Sequence, residues 1–252
     1  SLVGISGLPG SSPKVLRRDG LADWVQKADS DARVVSVSAK DRAAVLMAGR
    51  GKGQVYWFES RAGRFVTSSY YRDENPRWLD TFNQVGMAKY VKDSVWVSTV
   101  PPEHASLSAP DTAVFEADGV HSHFPHRFLD VIPKPVPGDF FFWFETTPML
   151  DEATLDVALL AMDEEELGRS MDRTDFLSIS FSQTDRIGHA YGPLSREQMD
   201  NLLRLDRVLG RLFQHLDREV GRESYILGFT ADHGVMNNPE RIQEGGTRLT
   251  DQ

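Results

Sequence analysis

The chain of 252 residues is long enough for one large domain or two small ones, and its 40% hydrophobic and 26% charged content is that of an ordinary globular protein. A formal net charge of -9 argues against broad nucleic-acid or anionic-membrane binding, so attracting a phosphate would require local positive charge from metals or a few basic side chains. There are no cysteines, which excludes disulfides, thiolate metal sites and cysteine nucleophiles, and no apolar run is long enough to span a bilayer.

Residues 1–12 are rich in Gly, Ser and Pro and read as loop. Residues 21–27 suit a short helix, with Leu21, Trp24 and Val25 spaced for one buried face. A β-branched strand at 33–38 follows and runs into Ala39, Lys40, Asp41 and Arg42, with a helix over 43–48. From Gly49 to Asp139 the texture changes. Residues 55–58 and 64–67 flank a Gly-containing turn and suggest a hairpin, 77–82 suit a short helix, and prolines punctuate the rest. This segment, 49–139, reads as an inserted lobe or loop system covering the sheet's edge. The aromatic run 140–144 reads as a buried strand.

Beyond Pro148 a helix presents Leu155, Ala158, Leu159 and Met162 on one face, and the acidic run 163–166 lies mostly on the other as a solvated face. Residues 176–181 form an apolar strand. The clearest helix begins after Pro193. Ser195 and Gln198 make a capping-box pattern, Leu194 and Met199 fit a hydrophobic staple, and Leu202, Leu205, Leu209, Leu212 and Leu216 continue the stripe. A second apolar strand at 225–230 would complete a βαβ crossover and make the sheet parallel.

Chemistry concentrates directly after these last two strands. Asp185 and His189 follow the first, in a loop or first helical turn, and Asp232 and His233 follow the second, where Gly234 permits a sharp bend. Open α/β sheets place ligand sites just outside the carboxyl ends of their strands, so the two pairs could face one crevice. Mixed oxygen and nitrogen donors suit zinc or a similar divalent ion. Either pair alone equally fits a turn carboxylate beside a partly buried imidazole, and Lys40 with Arg42 alone fits a solvated strand exit. His121, His123 and His126 read as surface or hydrogen-bonding residues, and His104 and His215 as loop and helix-surface residues.

Taken together, Thr-Asp-x-x-Gly-His at 184–189 with Tyr191, Gly192 and Pro193 behind it, and Thr-Ala-Asp-His-Gly at 230–234, resemble the alkaline phosphatase superfamily. The stretch 36–44, with its Lys-x-Arg element, and the segments 65–71 and 124–126 are similar to the monoesterase-like branch related to type I phosphodiesterases and nucleotide pyrophosphatases. The likeness runs from about residue 20 to 240.

The resemblance implies an α/β fold with a mostly parallel sheet flanked by helices, and two zinc ions, although Asp/His sets accept other divalent ions too. Asp185 and His189 would hold one ion and Asp232 and His233 the other. Lys40 and Arg42 would bind the non-bridging phosphate oxygens, and a Thr or Ser nucleophile would form a covalent phospho-enzyme. This sequence departs from the pattern: no histidine follows His233, and Ser1, Ser6, Ser11 and Ser12 have no nucleophile context. The expectation is one hydrolase domain over 1–252, truncated at both ends and inactive alone, whose parent hydrolyses phosphoric monoesters in the periplasm or outside the cell. A phosphodiesterase or nucleotide pyrophosphatase on the same metals is one alternative. A scaffold that keeps the fold without catalysis is the other.

Overall fold

The computed structural model describes residues 1–92, 94–112 and 119–239. The first helix, α1 (Leu21–Ala28), leads to the strand β1 (Val34–Ser38), then α2 (Asp41–Ala48) and β2 (Gln54–Glu59). β1 and β2 pair in parallel, so β1–α2–β2 is a crossover unit. A tight turn returns the chain as β3 (Arg64–Val66), antiparallel to β2. The helices α3 (Arg77–Thr81) and α4 (Ala88–Lys92) follow, then a two-stranded antiparallel sheet of β4 (Val95–Trp96) and β5 (His126–Arg127). Three helices come next, α5 (Phe128–Val131), α6 (Asp139–Phe144) and α7 (Met149–Glu164). β6 (Phe176–Ser180) pairs in parallel with the free side of β1, and α8 (Gln183–Tyr191) and α9 (Arg196–Glu219) complete the elements. The main sheet has the order β3-β2-β1-β6.

Alternation along the strands divides the interior into two cores. Val35, Val37, Tyr56, Phe58 and Phe65 face α7 and the aromatic side chains of α6, while Val34, Val55, Trp57 and Val66 face α1 and α2. On that second face β1 presents serines, and the Ser36 hydroxyl donates to the carbonyl of Ala44 at 2.7 Å. Small side chains there let α2 lie close against the strand. α9 packs outside α7 through Val208, Leu212 and Leu216.

The expected α/β architecture and mostly parallel sheet are present, but several elements differ from the sequence reading. Residues 140–144 are helical, not a strand. In a strand every second ring would face solvent, whereas the helix leaves only Phe142 exposed and packs the other four into or against the core. In α1 the buried residues are Ala22 and Asp23, with Leu21 and Trp24 exposed. Asp23 turns inward because its carboxylate accepts the backbone N–H groups of Gly20, Arg50 and Gly51 at 2.8–2.9 Å.

Among the described residues the run 225–230 joins no sheet, so the 176–230 crossover is not formed there and β1–α2–β2 supplies the parallel connection instead. A strand exists only through a ladder partner, and among the described residues β6 is bonded to β1 alone. Within the 49–139 segment, the 54–66 hairpin belongs to the main sheet, while β4 and β5 form the separate small one. His215 is buried beside Asp163 of α7 at 3.1 Å, where a helix-surface position was expected.

Candidate active site at the strand ends

β1 and β6 are neighbours with Ser38 opposite Ser180, so the residues that follow them emerge side by side. Lys40 caps α2 two residues beyond β1, and Asp185 lies in the first turn of α8. The Lys40 ammonium forms a direct ion pair with Asp185 Oδ2. Of the loop or first helical turn that the sequence allowed, the structure has the helix, which runs over Gln183–Tyr191, so Asp185 and His189 stand one turn apart on one face. His189 Nε2 is 3.2 Å from Asp185 Oδ1, and His233 Nε2 approaches the same oxygen at 3.9 Å. Asp232 Oδ2 lies 3.5 Å from His233 Nε2.

The packing beneath fixes this arrangement. The Gln183 side chain donates to the carbonyls of Glu145 and Thr147 at 2.8 and 2.7 Å, and Arg186 pairs with Glu145 at 2.8 Å. The backbone N–H of Gln183 points at both oxygens of the buried Asp151. On the β1 side the Lys40 N–H donates to Ser38 Oγ at 3.0 Å, and Ser38 Oγ lies 3.4 Å from Ser182 Oγ. Both serines are buried, so these hydroxyls serve packing and are not presented to the crevice. Thr184 is taken up too, as acceptor for Asn201. Gln183, Asp151 and the serine cluster were not singled out in the sequence. A serine at a strand end and a carboxylate in a helix carry no local pattern that marks them as supports.

Electrostatics follow from these contacts. The Lys40 hydrogen bond and charge, with help from His189 and His233, hold the Asp185 carboxyl below the usual carboxylate range. His233 is pushed up, first by donating from Nδ1 to the Gly234 carbonyl at 2.8 Å and then by the carboxylates of Asp232 and Asp185. The side chains differ in exposure: Lys40 is 16% exposed and Asp185 30%, against 59% for His233 and 89% for Asp232. Arg42 is exposed on the first turn of α2 and makes no ion pair among the described residues.

Lys40, Asp185, His189 and His233 thus come together, with Asp232 at the margin and Arg42 outside the contacts. The donor chemistry, carboxylate oxygen and imidazole nitrogen, fits a divalent cation. The ammonium of Lys40 already occupies Asp185 as a cation would. Among the described residues, however, no three His, Asp or Glu side chains close around a common point as a metal ion requires; they converge on Asp185 instead.

Comparison with known proteins shows the family of the chain. The profile of the type I phosphodiesterase/nucleotide pyrophosphatase family matches residues 13–250. The alkaline phosphatase PhoV of Synechococcus elongatus is 34% identical over 232 residues, which cover 90% of this chain and 41% of PhoV. The alkaline phosphatase PafA of Elizabethkingia meningoseptica is 34% identical over 209 residues, covering 82% of this chain and 37% of PafA. A crystal structure of wild-type PafA superposes with a TM-score of 0.88 at 33% identity, over 97% of this chain and 47% of that one. The chain therefore spans less than half the length of these relatives. It belongs to the type I phosphodiesterase/nucleotide pyrophosphatase family, within the alkaline phosphatase superfamily.

Proposed function

We propose that these residues are part of a longer enzyme that hydrolyses phosphoric monoesters using two zinc ions and a Thr or Ser nucleophile outside 1–252. The observation that carries the reading is the meeting of Lys40, Asp185, His189 and His233 at the ends of two adjacent parallel strands. Asp185 and His189 would hold one ion, and Asp232 and His233 the other. When bound, the ions would supply Lewis-acid charge to the phosphoryl oxygens.

The chain's own residues do the positioning. α8 is pinned by Gln183 and Arg186, so Asp185 and His189 are presented at fixed separation. Lys40 extends from the anchored end of β1, and Arg42, exposed on the next helix and without an ion pair among the described residues, would close on a doubly charged phosphate. The substrate would be a small phosphate ester and the location periplasmic or extracellular. The accessory lobe of this reading is residues 49–139, within which the 54–66 hairpin pairs with the main sheet.

The test uses the longer protein with a phosphate monoester and the matching bis-ester. Asp185→Asn should lower kcat/KM on the monoester by about a hundredfold or more, the scale of losing a charge-stabilising group in a water-excluded site. Arg42→Ala should hurt the monoester more than the bis-ester, which has one fewer charged oxygen. An equal loss on both would favour phosphodiester chemistry, and no turnover by the intact protein would favour the scaffold alternative. Residues 1–252 alone should turn over neither ester.

A further inference from the structure

Lys40 stands at the start of α2, and the loop 49–53 at the other end of that helix, about 12 Å away along its axis, closes against α1. Segments 13–27 and 49–53 hold Lys14, Arg17, Arg18, Lys27, Arg50 and Lys52, all exposed, against only Asp19 and Asp23. The whole chain has the opposite balance, 28 basic to 37 acidic residues. Lys14, Lys27 and Arg50 line one cavity of about 430 Å³. The two acids leave most of this charge uncompensated. Asp23 is buried and accepts backbone N–H groups, and Asp19 is shared by Lys27 and Arg50. Lys14, Arg17, Arg18 and Lys52 make no ion pair among the described residues.

Apolar side chains lie among these charges. With Asp23 turned inward, the apolar face of α1 turns outward: Leu21 is 59% and Trp24 60% exposed, and Val15 beside Lys14 is 85% exposed. Leu21, Trp24 and Lys27 follow one another at steps of three along one side of the helix. Of the five tryptophans, Trp57, Trp96 and Trp143 are buried and Trp78 is half-buried, which leaves Trp24 as the exposed one. Basic heads interleaved with aromatic and aliphatic side chains match a water–lipid boundary. There tryptophan sits at headgroup level, apolar side chains enter the acyl boundary and Lys and Arg meet anionic phosphates. A nucleic acid would use the charges and could stack on Trp24, but it would leave Leu21 and Val15 without a partner.

We propose that this corner docks the protein peripherally on an anionic phospholipid surface, with Leu21 and Trp24 in the headgroup layer and the basic side chains against lipid phosphates. The net charge of -9 repels such a surface in general, which restricts binding to the one orientation that presents this corner. At physiological salt, charges beyond about 8 Å are screened, so the basic groups in contact outweigh acidic residues elsewhere on the molecule. The crevice at Lys40, at the other end of α2, stays uncovered in that orientation. Docking of this kind needs neither a metal ion nor the reaction proposed above, only the folded chain.

The test is co-sedimentation of the 252-residue protein with vesicles of phosphatidylcholine, alone or mixed with phosphatidylglycerol, with tryptophan emission recorded for each. Wild type should bind only the mixed vesicles, come off in high salt, and shift its emission to the blue as Trp24 leaves water. Arg17→Glu with Arg18→Glu should weaken binding by at least about tenfold. Trp24→Ser should bind more weakly and show no blue shift. Ile226→Ser with Phe229→Ser, in the other exposed apolar run, should bind as wild type does. Every substituted side chain is exposed, so the fold is not at stake. Failure to bind mixed vesicles overturns the proposal, as does binding that survives the Arg17 and Arg18 reversal or that is lost only in the Ile226 and Phe229 variant. Binding to heparin but not to vesicles, with the emission unmoved, would assign the corner to a soluble polyanion and overturn it too.

Discussion

Asp151 lies 2% exposed beneath the first turn of α8, with the Gln183 N–H 3.4 Å from each of its oxygens. Burial pushes its carboxyl up to about 8 from 3.8, outweighing the N–H groups of Gln183 and Ser182 and the charge of Arg186, which act the other way. An acid raised in the folded state holds a proton that the unfolded chain has already released. Between about pH 4 and pH 8 this residue therefore makes stability fall as pH rises, by at most about 1.4 kcal/mol per pH unit, and above pH 8 its effect levels off. Asp151→Asn removes that slope. In urea unfolding, the variant should gain on wild type steadily from pH 5 to pH 8, and a constant difference would mean that the carboxyl titrates normally. Asp185 works in the opposite sense: held low first by its hydrogen bond to Lys40, it adds stability above about pH 4 that is lost as pH falls through its folded value. The two carboxylates were not equally legible. Asp185 follows a strand within a spaced motif, whereas Asp151 reads as an ordinary residue of a helix's first turn, and only the packing of α7 under α8 reveals it.

At the scale of elements, α9 is the post to which the small sheet is tied. Asp200, fully buried, accepts the Trp96 indole N–H at 2.7 Å, the Thr99 hydroxyl at 2.7 Å and the Arg204 guanidinium at 2.8 Å. One turn earlier Glu197 is 2.9 Å from His126 Nε2, with both side chains buried. Asp200→Ala would leave the indole N–H and the Thr99 hydroxyl without their acceptor, and the expected cost is about 3–5 kcal/mol, on the order of 10 °C in melting temperature. Asp200→Asn keeps an acceptor and should cost less. Equal melting temperatures for wild type and Asp200→Ala would show that the small sheet is held by apolar contacts alone.

The Ser195 cap of this helix was legible, because a capping box is a local pattern, and its hydroxyl does accept the Gln198 N–H at 3.0 Å. Its buried face was drawn partly wrong: Leu202 is exposed, and the inward positions include Glu197, Asp200, Asn201 and His215 beside Val208, Leu212 and Leu216. Polar residues that bury by pairing with another element do not register in a hydrophobic stripe. The aromatic run of α6 failed for a related reason. Five consecutive apolar residues have no period, so helix and strand differ only in what they meet, here the ring of Phe141 closing over Gly63. Gly63 has φ +62 in the β2–β3 turn, and a Cβ there would sit 2.2 Å from that ring.

For the whole molecule, β1 and β6 were readable as short apolar runs separated by turns and helices, whereas β2 had been read into the lobe's hairpin and the parallel pairing drawn from a crossover that does not form. The run 225–230 has the same signature but lies exposed, with Ile226 101% and Phe229 72% accessible and Val235 and Met236 also uncovered. Composition shows that this run suits a buried strand; it cannot show which strand pairs with it. Among the described residues β6 offers an unbonded edge and 225–230 an uncovered apolar surface, the combination that promotes edge-to-edge association. The net charge of -9 opposes association through general repulsion, so the balance should depend on salt. We expect the 252-residue protein to self-associate with rising concentration in sedimentation velocity, more strongly at high ionic strength. Ile226→Lys with Phe229→Lys should keep it monomeric while changing stability by no more than about 0.5 kcal/mol per site, because neither side chain is buried. A wild-type protein that stays monomeric at high salt and binds no hydrophobic dye would mean that the run is covered in solution, and the double variant should then unfold more easily instead.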